Sequence, residues 1–248
     1  MFVRNNKLIT VLNKRSFVPP DIRGLSLWLD ANDAATITHA AGAVSQWNDK
    51  SGNAYHATQG TGTNQPITNT RTINSKNVLD FDGSNDYMLL PSGLYSIPAS
   101  DNTLFAVAAT DNIATVNQHI FSGANGGAGR HRMLINASTT NNVNYSNSAT
   151  GVAATKTITT DTNPHIVLGH CATTTGSLYY DGGTATTATT SNVTLTAIRI
   201  GSFAGGVASL LNGIIAEVII YNSALSTTDL NRVGNYLKSK WGTVWTNV

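Results

Sequence analysis

Short apolar runs broken by polar turns fill most of this chain. The segment LSLWLD (25–30) alternates, and AVSQWND (43–49) ends in the polar turn KSGN. VLDFDG (78–83) and YMLLP (87–91) flank the turn GSND. TLFAVAAT (103–110), HIFSG (119–123), RMLIN (132–136), HIVLGHC (165–171), SLYYDG (177–182) and TAIRIG (196–201) follow. A period of two over runs this short predicts β-strands. The Thr-rich stretch 184–190 reads equally as an exposed strand or as a loop.

One segment departs from that rhythm. After GIIAEVIIY (213–221), whose β-branched Ile214, Ile215, Val218, Ile219 and Ile220 predict a strand buried on both faces, the apolar spacing changes. Leu230, Val233, Leu237 and Trp241 recur at steps of three and four, the stripe of an amphipathic helix. Ser226 is placed as its N-cap, Asp229 completes a capping box, and Gly242 is placed to end it. Lys238 and Lys240 suit the negative end of the helix dipole. Many strands and one terminal helix predict an all-β sandwich or jelly roll with two antiparallel sheets.

The chain has 248 residues, enough for one large β domain. Residues 1–23 read as a basic N-terminal arm, with Arg4, Lys7, Lys14 and Arg15 as candidate docking residues and Pro19-Pro20 setting it off from a domain over 24–248. Only 11% of residues are charged and the net charge is +2, with no dense Lys/Arg block, so nucleic acid is not an expected partner. No run approaches a membrane span, and residues 1–12 hold no h-region of a signal peptide; a soluble protein outside the general secretory route is expected. Cys171 is the single cysteine, so no intrachain disulfide framework exists.

Four segments in order carry a family likeness: LWLDANDAATI (27–37), WNDKSGNAYHATQ (47–59), LDFDGSNDYM (79–88) and GIIAEVIIYNSALS with its helix. Together they resemble the concanavalin A-like, laminin-G-like jelly-roll superfamily. More narrowly, the chain is similar to lectin-like domains of tailed-bacteriophage virion proteins and of some bacterial surface proteins. The resemblance implies two packed antiparallel sheets, with ligands on a concave face or at loops on one rim, and in some relatives a calcium ion at that rim.

Glycanases of that superfamily carry paired glutamates on one strand, in a Glu-x-Asp-x-(x)-Glu pattern. Retaining hydrolysis needs its two carboxyl groups about 5 Å apart, which period-two spacing supplies. Of the 13 acidic residues here Glu217 is the single glutamate, and it has no acid two or four residues away. No catalytic residues are expected, although an Asp pair assembled across loops stays open.

No cofactor is expected, and calcium is the metal the residues suggest. Asp80, Asp82, Asn85 and Asp86 offer hard oxygen ligands within one short stretch. Asp and Asn are also the commonest turn formers, and Asp82-Gly83 reads first as a hairpin turn. The loop GANGGAG (123–129) precedes a strand and not a helix, so it lacks what makes a phosphate cradle. His165 and His170 differ by five positions and point to opposite faces of a strand, so they do not share a metal. Aromatic faces stack on sugar rings: Tyr55, in a loop, and the adjacent pair Tyr179 and Tyr180, of which one should face outward, are the candidate glycan platforms. Arg130, which the glycine-rich loop precedes, is with His131 and Arg132 a candidate contact to an acidic glycan or a neighbouring subunit, a solvated basic face being the alternative.

These readings lead to a non-enzymatic bacteriophage virion protein: a capsid decoration, neck or tail-fibre component assembled in the host cytoplasm. Its expected partners are other virion proteins, as a homo-oligomer or as lattice-bound copies, and a host surface glycan. A stand-alone carbohydrate-binding module or adhesin is the alternative, and an Asp-based glycan-active enzyme is the third.

Overall fold

The strand Asn212–Tyr221 is built into the interior because it has no polar face to give to water. Every residue from Gly213 to Tyr221 is buried. In the computed structural model, which describes residues 15–95, 101–136, 141–151, 153–191, 193–206 and 208–248, this strand is flanked by Leu25–Asp30 and Asn102–Thr110 and also pairs with Leu79–Asp82. The sheet continues through His165–Ala172 and Thr175–Tyr180 to Thr186–Thr189, seven strands in all. A second sheet of nine runs Ala154–Thr157, Asn142–Ser148, Arg130–Ile135, Gln118–Ala124, Ala197–Ile200, Met88–Leu90, Ala57–Thr58, Ala43–Trp47 and Ile37–Ala40. The ladders within both sheets are antiparallel, giving the jelly-roll sandwich that the pattern predicts.

Alternation along Asn102–Thr110 divides the interior into two layers. Leu104, Ala106 and Ala108 face the nine-stranded sheet and join Leu27, Leu29, Trp47, Phe81, Phe121, Met133 and Tyr145. Phe105, Val107 and Ala109 face the other way, where Leu230, Val233, Leu237 and Trp241 of the helix Thr227–Trp241 close over them with Trp245. The helix begins and ends as its sequence predicts. Ser226 accepts the backbone N–H of Asp229 at 3.2 Å, and Gly242 takes a left-handed conformation (φ 70°) that side-chain-bearing residues avoid. It is the one α-helix among the described residues, and no described helix is long and apolar enough to cross a membrane.

Arg4, Lys7 and Lys14 lie outside the described residues. The end of the expected arm is part of the domain: Pro19–Asp21 form a 3-10 turn, Ile22 is buried against the helix layer, and the Tyr221 hydroxyl donates to the Pro19 carbonyl at 3.0 Å. Arg15 pairs with Asp21, so this cation is held by its own segment.

Candidate functional site

The nine-stranded sheet shows its second face to the outside, and the strand pattern decides what stands there. Met133, Ile135, Phe121, Ile198, Ile200, Met88 and Leu90 point into the sandwich. Their neighbours in sequence therefore point out: Arg130 and Arg132, Ser122, Arg199, and Leu89. Register aligns these residues into one row across the sheet. Arg132 is opposite Ser122, Ser122 opposite Arg199, Arg199 opposite Leu89, and Leu89 opposite Thr58. With strands about 4.8 Å apart, Arg132 and Arg199 rise from the sheet roughly 10 Å from each other, one on each side of Ser122.

The loop after Ala197–Ile200 folds over this row. The Ala204 N–H donates to Ser122 Oγ at 3.2 Å, and Arg199 donates to the carbonyls of Gly206 at 2.7 Å and Phe203 at 3.3 Å. Two aromatic rings come with it: Phe203, 5.0 Å from the Arg130 guanidinium, and Tyr87, 4.5 Å from that of Arg199. Phe203 also lies 5.6 Å from the ring of His119. Arg130 is tied back to the carbonyls of Gly127 and Gly129, which orders the glycine-rich hairpin turn.

Charge on this face is uncompensated. Arg15, Arg71 and Arg232 each pair with an aspartate, whereas Arg130, Arg132 and Arg199 form no ion pair among the described residues. Burial, and then the proximity of Arg130, lowers the pKa of Arg132. The Nε atoms of Arg132 and Arg199 are buried without a hydrogen-bond partner. His119 is buried, and that burial followed by the Arg132 charge lowers its pKa to about 4. Its Nδ1 meets the carbonyls of Asn117 and Ser209 at 3.1 and 3.2 Å, so Nδ1 carries the proton and Nε2 is an acceptor with no donor. The face thus carries guanidinium groups and two aromatic rings, with the neutral His119 imidazole buried beside Phe203.

Of the residues that sequence singles out, Arg130 is on this face and the three tyrosines are elsewhere. Tyr55 and Tyr180 lean on the core between the sheets, and Tyr180 stacks on His165 at 4.5 Å. Tyr179 packs on the helix layer. The two tyrosines take opposite faces of their strand and both are half-buried. Arg199, Phe203 and His119 escape notice in the sequence. The available signal was the alternation RHRMLI and AIRI, in which arginine takes positions opposite the apolar ones.

The Asp80–Asp86 segment is built as a turn. Asp80 accepts from Arg71 at 3.1 Å, Asp82 caps the N–H groups of Ser84 at 2.8 Å and Asn85 at 3.2 Å, and Asp86 accepts from the Asp82 N–H at 3.0 Å. Among the described residues no three His, Cys, Asp or Glu groups are placed to hold a metal. His165 is clasped by Asp181 at 2.6 Å and Asp161 at 2.8 Å, while His170 reaches the Leu225 carbonyl on the helix side. Cys171 is buried in the core.

Glu217 lies beneath the helix and is not exposed at all. It accepts from Trp28 Nε1 at 2.7 Å, Tyr236 Oη at 2.9 Å, Lys240 Nζ at 2.8 Å and Trp241 Nε1 at 2.6 Å.

Comparison with known proteins agrees with this architecture. The family model described as the concanavalin A-like lectin/glucanases superfamily matches residues 82–231, more than half of the chain. Among solved structures, Trypanosoma rangeli sialidase in complex with sialic acid superposes with a TM-score of 0.64 at 17% identity, over 90% of this chain and 34% of that one. The binding domain of botulinum neurotoxin DC in complex with SialylT gives 0.58 at 14% identity, over 91% of this chain and 55% of that one. The same toxin domain in complex with rat synaptotagmin II gives 0.57 at 12% identity, over 92% and 56%. The chain therefore spans about a third of the sialidase and about half of the toxin domain. At these identities the likeness is one of fold. No curated protein sequence matches the chain.

Proposed function

Because the chain belongs to the concanavalin A-like lectin/glucanases superfamily, we propose that it is a non-catalytic glycan-binding module that works through the outer face of its nine-stranded sheet. One observation carries this reading. The outer face of the nine-stranded sheet carries three arginines without ion pairs among the described residues, with the ring of Phe203 against Arg130 and that of Tyr87 against Arg199. Aromatic faces stack on sugar rings, and guanidinium groups give hydrogen bonds of fixed direction. The sialidase and the toxin domain are each seen with a sialic acid-type ligand, which supports a sugar as the ligand class. The absence of catalysis is supported by Glu217, the single glutamate, being sealed under the helix. A glycan array probed with the purified protein tests the proposal. Binding that falls when Phe203 or Tyr87 is replaced by alanine is expected, and binding indifferent to both sinks this choice of face.

The finer reading places the module on a tailed-phage virion, with other virion proteins as partners and copies arranged as a homo-oligomer or on a lattice. It is favoured by the order of the four sequence segments shared with virion lectin-like domains. Mass spectrometry of phage particles from a host encoding this chain, quantified against the major capsid protein, should find it at a fixed ratio. If particles lack it, the adhesin reading replaces the virion reading.

A further inference from the structure

We infer that Lys240 and Asp30 join in an intramolecular amide bond, formed by the folded chain itself with Glu217 as the proton relay. The bond is independent of any glycan on the arginine face. Three side chains meet under the helix. Lys240 Nζ lies 2.7 Å from Asp30 Oδ1 and 2.8 Å from Glu217 Oε2, and register sets Asp30 opposite Glu217 on the neighbouring strand. The two carboxyl side chains are 7% and 0% exposed and the lysine 13%. An amine touching a carboxyl oxygen is one C–O bond from the carbon it attacks, close to the ~3–3.5 Å of a near-attack pair.

The surroundings suit condensation better than a lasting ion pair. Trp28, Tyr236 and Trp241 all donate to Glu217, and the Lys240 ammonium lies 5.0 Å from the Trp241 ring and 5.5 Å from that of Tyr236. Buried charges give up their hydration, so replacing an ammonium and a carboxylate by a neutral amide removes that cost, and the exclusion of water opposes hydrolysis. The second oxygen of Asp30 meets Lys50 Nζ at 3.0 Å. Burial opposes the charge on Lys50, but hydrogen bonds to Asp33 and Asp30 outweigh it and raise its pKa. Lys50 therefore stays an ammonium and steadies negative charge on that oxygen as the carbon becomes tetrahedral.

The step balances within the protein. The Lys240 ammonium passes a proton to the Glu217 carboxylate, whose affinity for it burial raises against the opposing Lys240 charge. The freed amine pair bonds to Asp30 Cγ. Glu217 returns that proton to Oδ1 and relays a second one from the nitrogen to the same oxygen. The Cγ–Oδ1 bond then breaks and water leaves, with Glu217 ending as it began. The ion pairs among these groups are the state from which the bond forms. The product ties the strand Leu25–Asp30 to the helix Thr227–Trp241, and closing so long a loop restricts the unfolded chain.

Intact-mass measurement of the denatured full chain, followed by tryptic mapping, is the experiment. The chain should weigh one water less than its sequence, and peptide 24–50 should be found joined to 239–248, uncut after Lys240. Lys240→Arg keeps a positive charge without the nucleophilic amine, and Glu217→Gln keeps the shape without the proton relay; both should show the full sequence mass. The joined peptide is read on the parent chain alone, so the test does not depend on either variant folding. A parent chain at its full mass, both fresh and after prolonged incubation, overturns the inference. A lost water mapped within a single peptide, as cyclisation at Asp82-Gly83 would give, overturns it equally. A joined peptide in folded Glu217→Gln overturns the relay and keeps the bond.

Discussion

The Trp241 indole N–H donates to the carboxylate of Glu217 at 2.6 Å, joining the last turn of the helix to the strand Asn212–Tyr221 of the seven-stranded sheet. The same carboxylate receives Lys240, whose ammonium also meets Asp30 at 2.7 Å, and Asp30 stands directly opposite Glu217 on the neighbouring strand. One lysine thus bridges two buried carboxylates. Burial is the main influence raising the pKa of Glu217, and the Lys240 charge opposes it.

Glu217→Gln should therefore destabilise the fold by about 3 kcal/mol, because four donors would compete for one amide oxygen and the new NH2 would face donors. Lys240→Met leaves two buried anions side by side and should cost a similar amount. Combining the two should cost clearly less than their sum, since the second change removes a partner already lost. Urea unfolding of the four proteins measures this. Additive effects would show that the groups act independently.

Asp86 is an expected calcium ligand that the structure makes a pH-dependent burden. Burial pushes its pKa up to about 7, outweighing the hydrogen bond from the Asp82 N–H, and the charges of Asp82 and Asp80 push the same way. A carboxyl with a folded pKa above its unfolded one binds more protons when folded, so its stabilising share is present at low pH and fades as pH rises through about 7. Asp86→Asn keeps the acceptor for Asp82 and removes the charge. It should raise stability at pH 8 by at least ~1 kcal/mol, each pKa unit being worth about 1.4 kcal/mol. The gain should vanish near pH 4. A thermal melt at both pH values checks it, and an equal gain at both would point to a cause other than ionisation.

The two-layer plan was readable in the sequence because its signals are local. The helix needs only the stripe Leu230, Val233, Leu237 and Trp241 with its caps, and the strand Asn212–Tyr221 needs only its β-branched run. The strand Asn142–Ser148 (NVNYSNS) was not readable, since Asn and Ser favour turns and only Val143 and Tyr145 point into the core. The site was legible only at Arg130 and Arg132. Its other members come from strands brought together by register and from a loop laid across them, and no spacing along the chain encodes that meeting. Glu217 was read correctly as lacking an acidic partner along its strand, while its partners, 189 and 24 positions away for Trp28 and Trp241, are set by tertiary packing.

The boundary between arm and domain is open to a direct test. Phe17 packs edge-on against Tyr236 at 5.9 Å, Ile22 is buried, and Pro19 accepts from Tyr221. A chain beginning at Gly24 should thus melt several degrees below one beginning at Arg15, because it exposes the helix layer and removes about 2 kcal/mol of apolar burial. Equal melting temperatures would show that the segment 15–23 rests on the domain without supporting it.

Gly169 is required by Tyr145. A β-carbon built at position 169 would lie 2.2 Å from the tyrosine ring, which crosses the core between the sheets and is anchored by its hydroxyl to Asn102 at 2.9 Å. Exchanging glycine for alanine in a strand ordinarily stabilises by ~0.5–1 kcal/mol through the unfolded chain. Here the ring cannot give way without losing Asn102, and overpacking of this kind costs ~1–3 kcal/mol. Gly169→Ala should accordingly be destabilising despite its favourable backbone effect. Tyr145→Leu removes the clash, so in that background the same Gly169→Ala exchange should turn neutral or stabilising. Guanidinium unfolding of the two singles and the double decides the matter: an unchanged penalty in the Tyr145→Leu background would mean that the glycine is needed for some reason other than the ring.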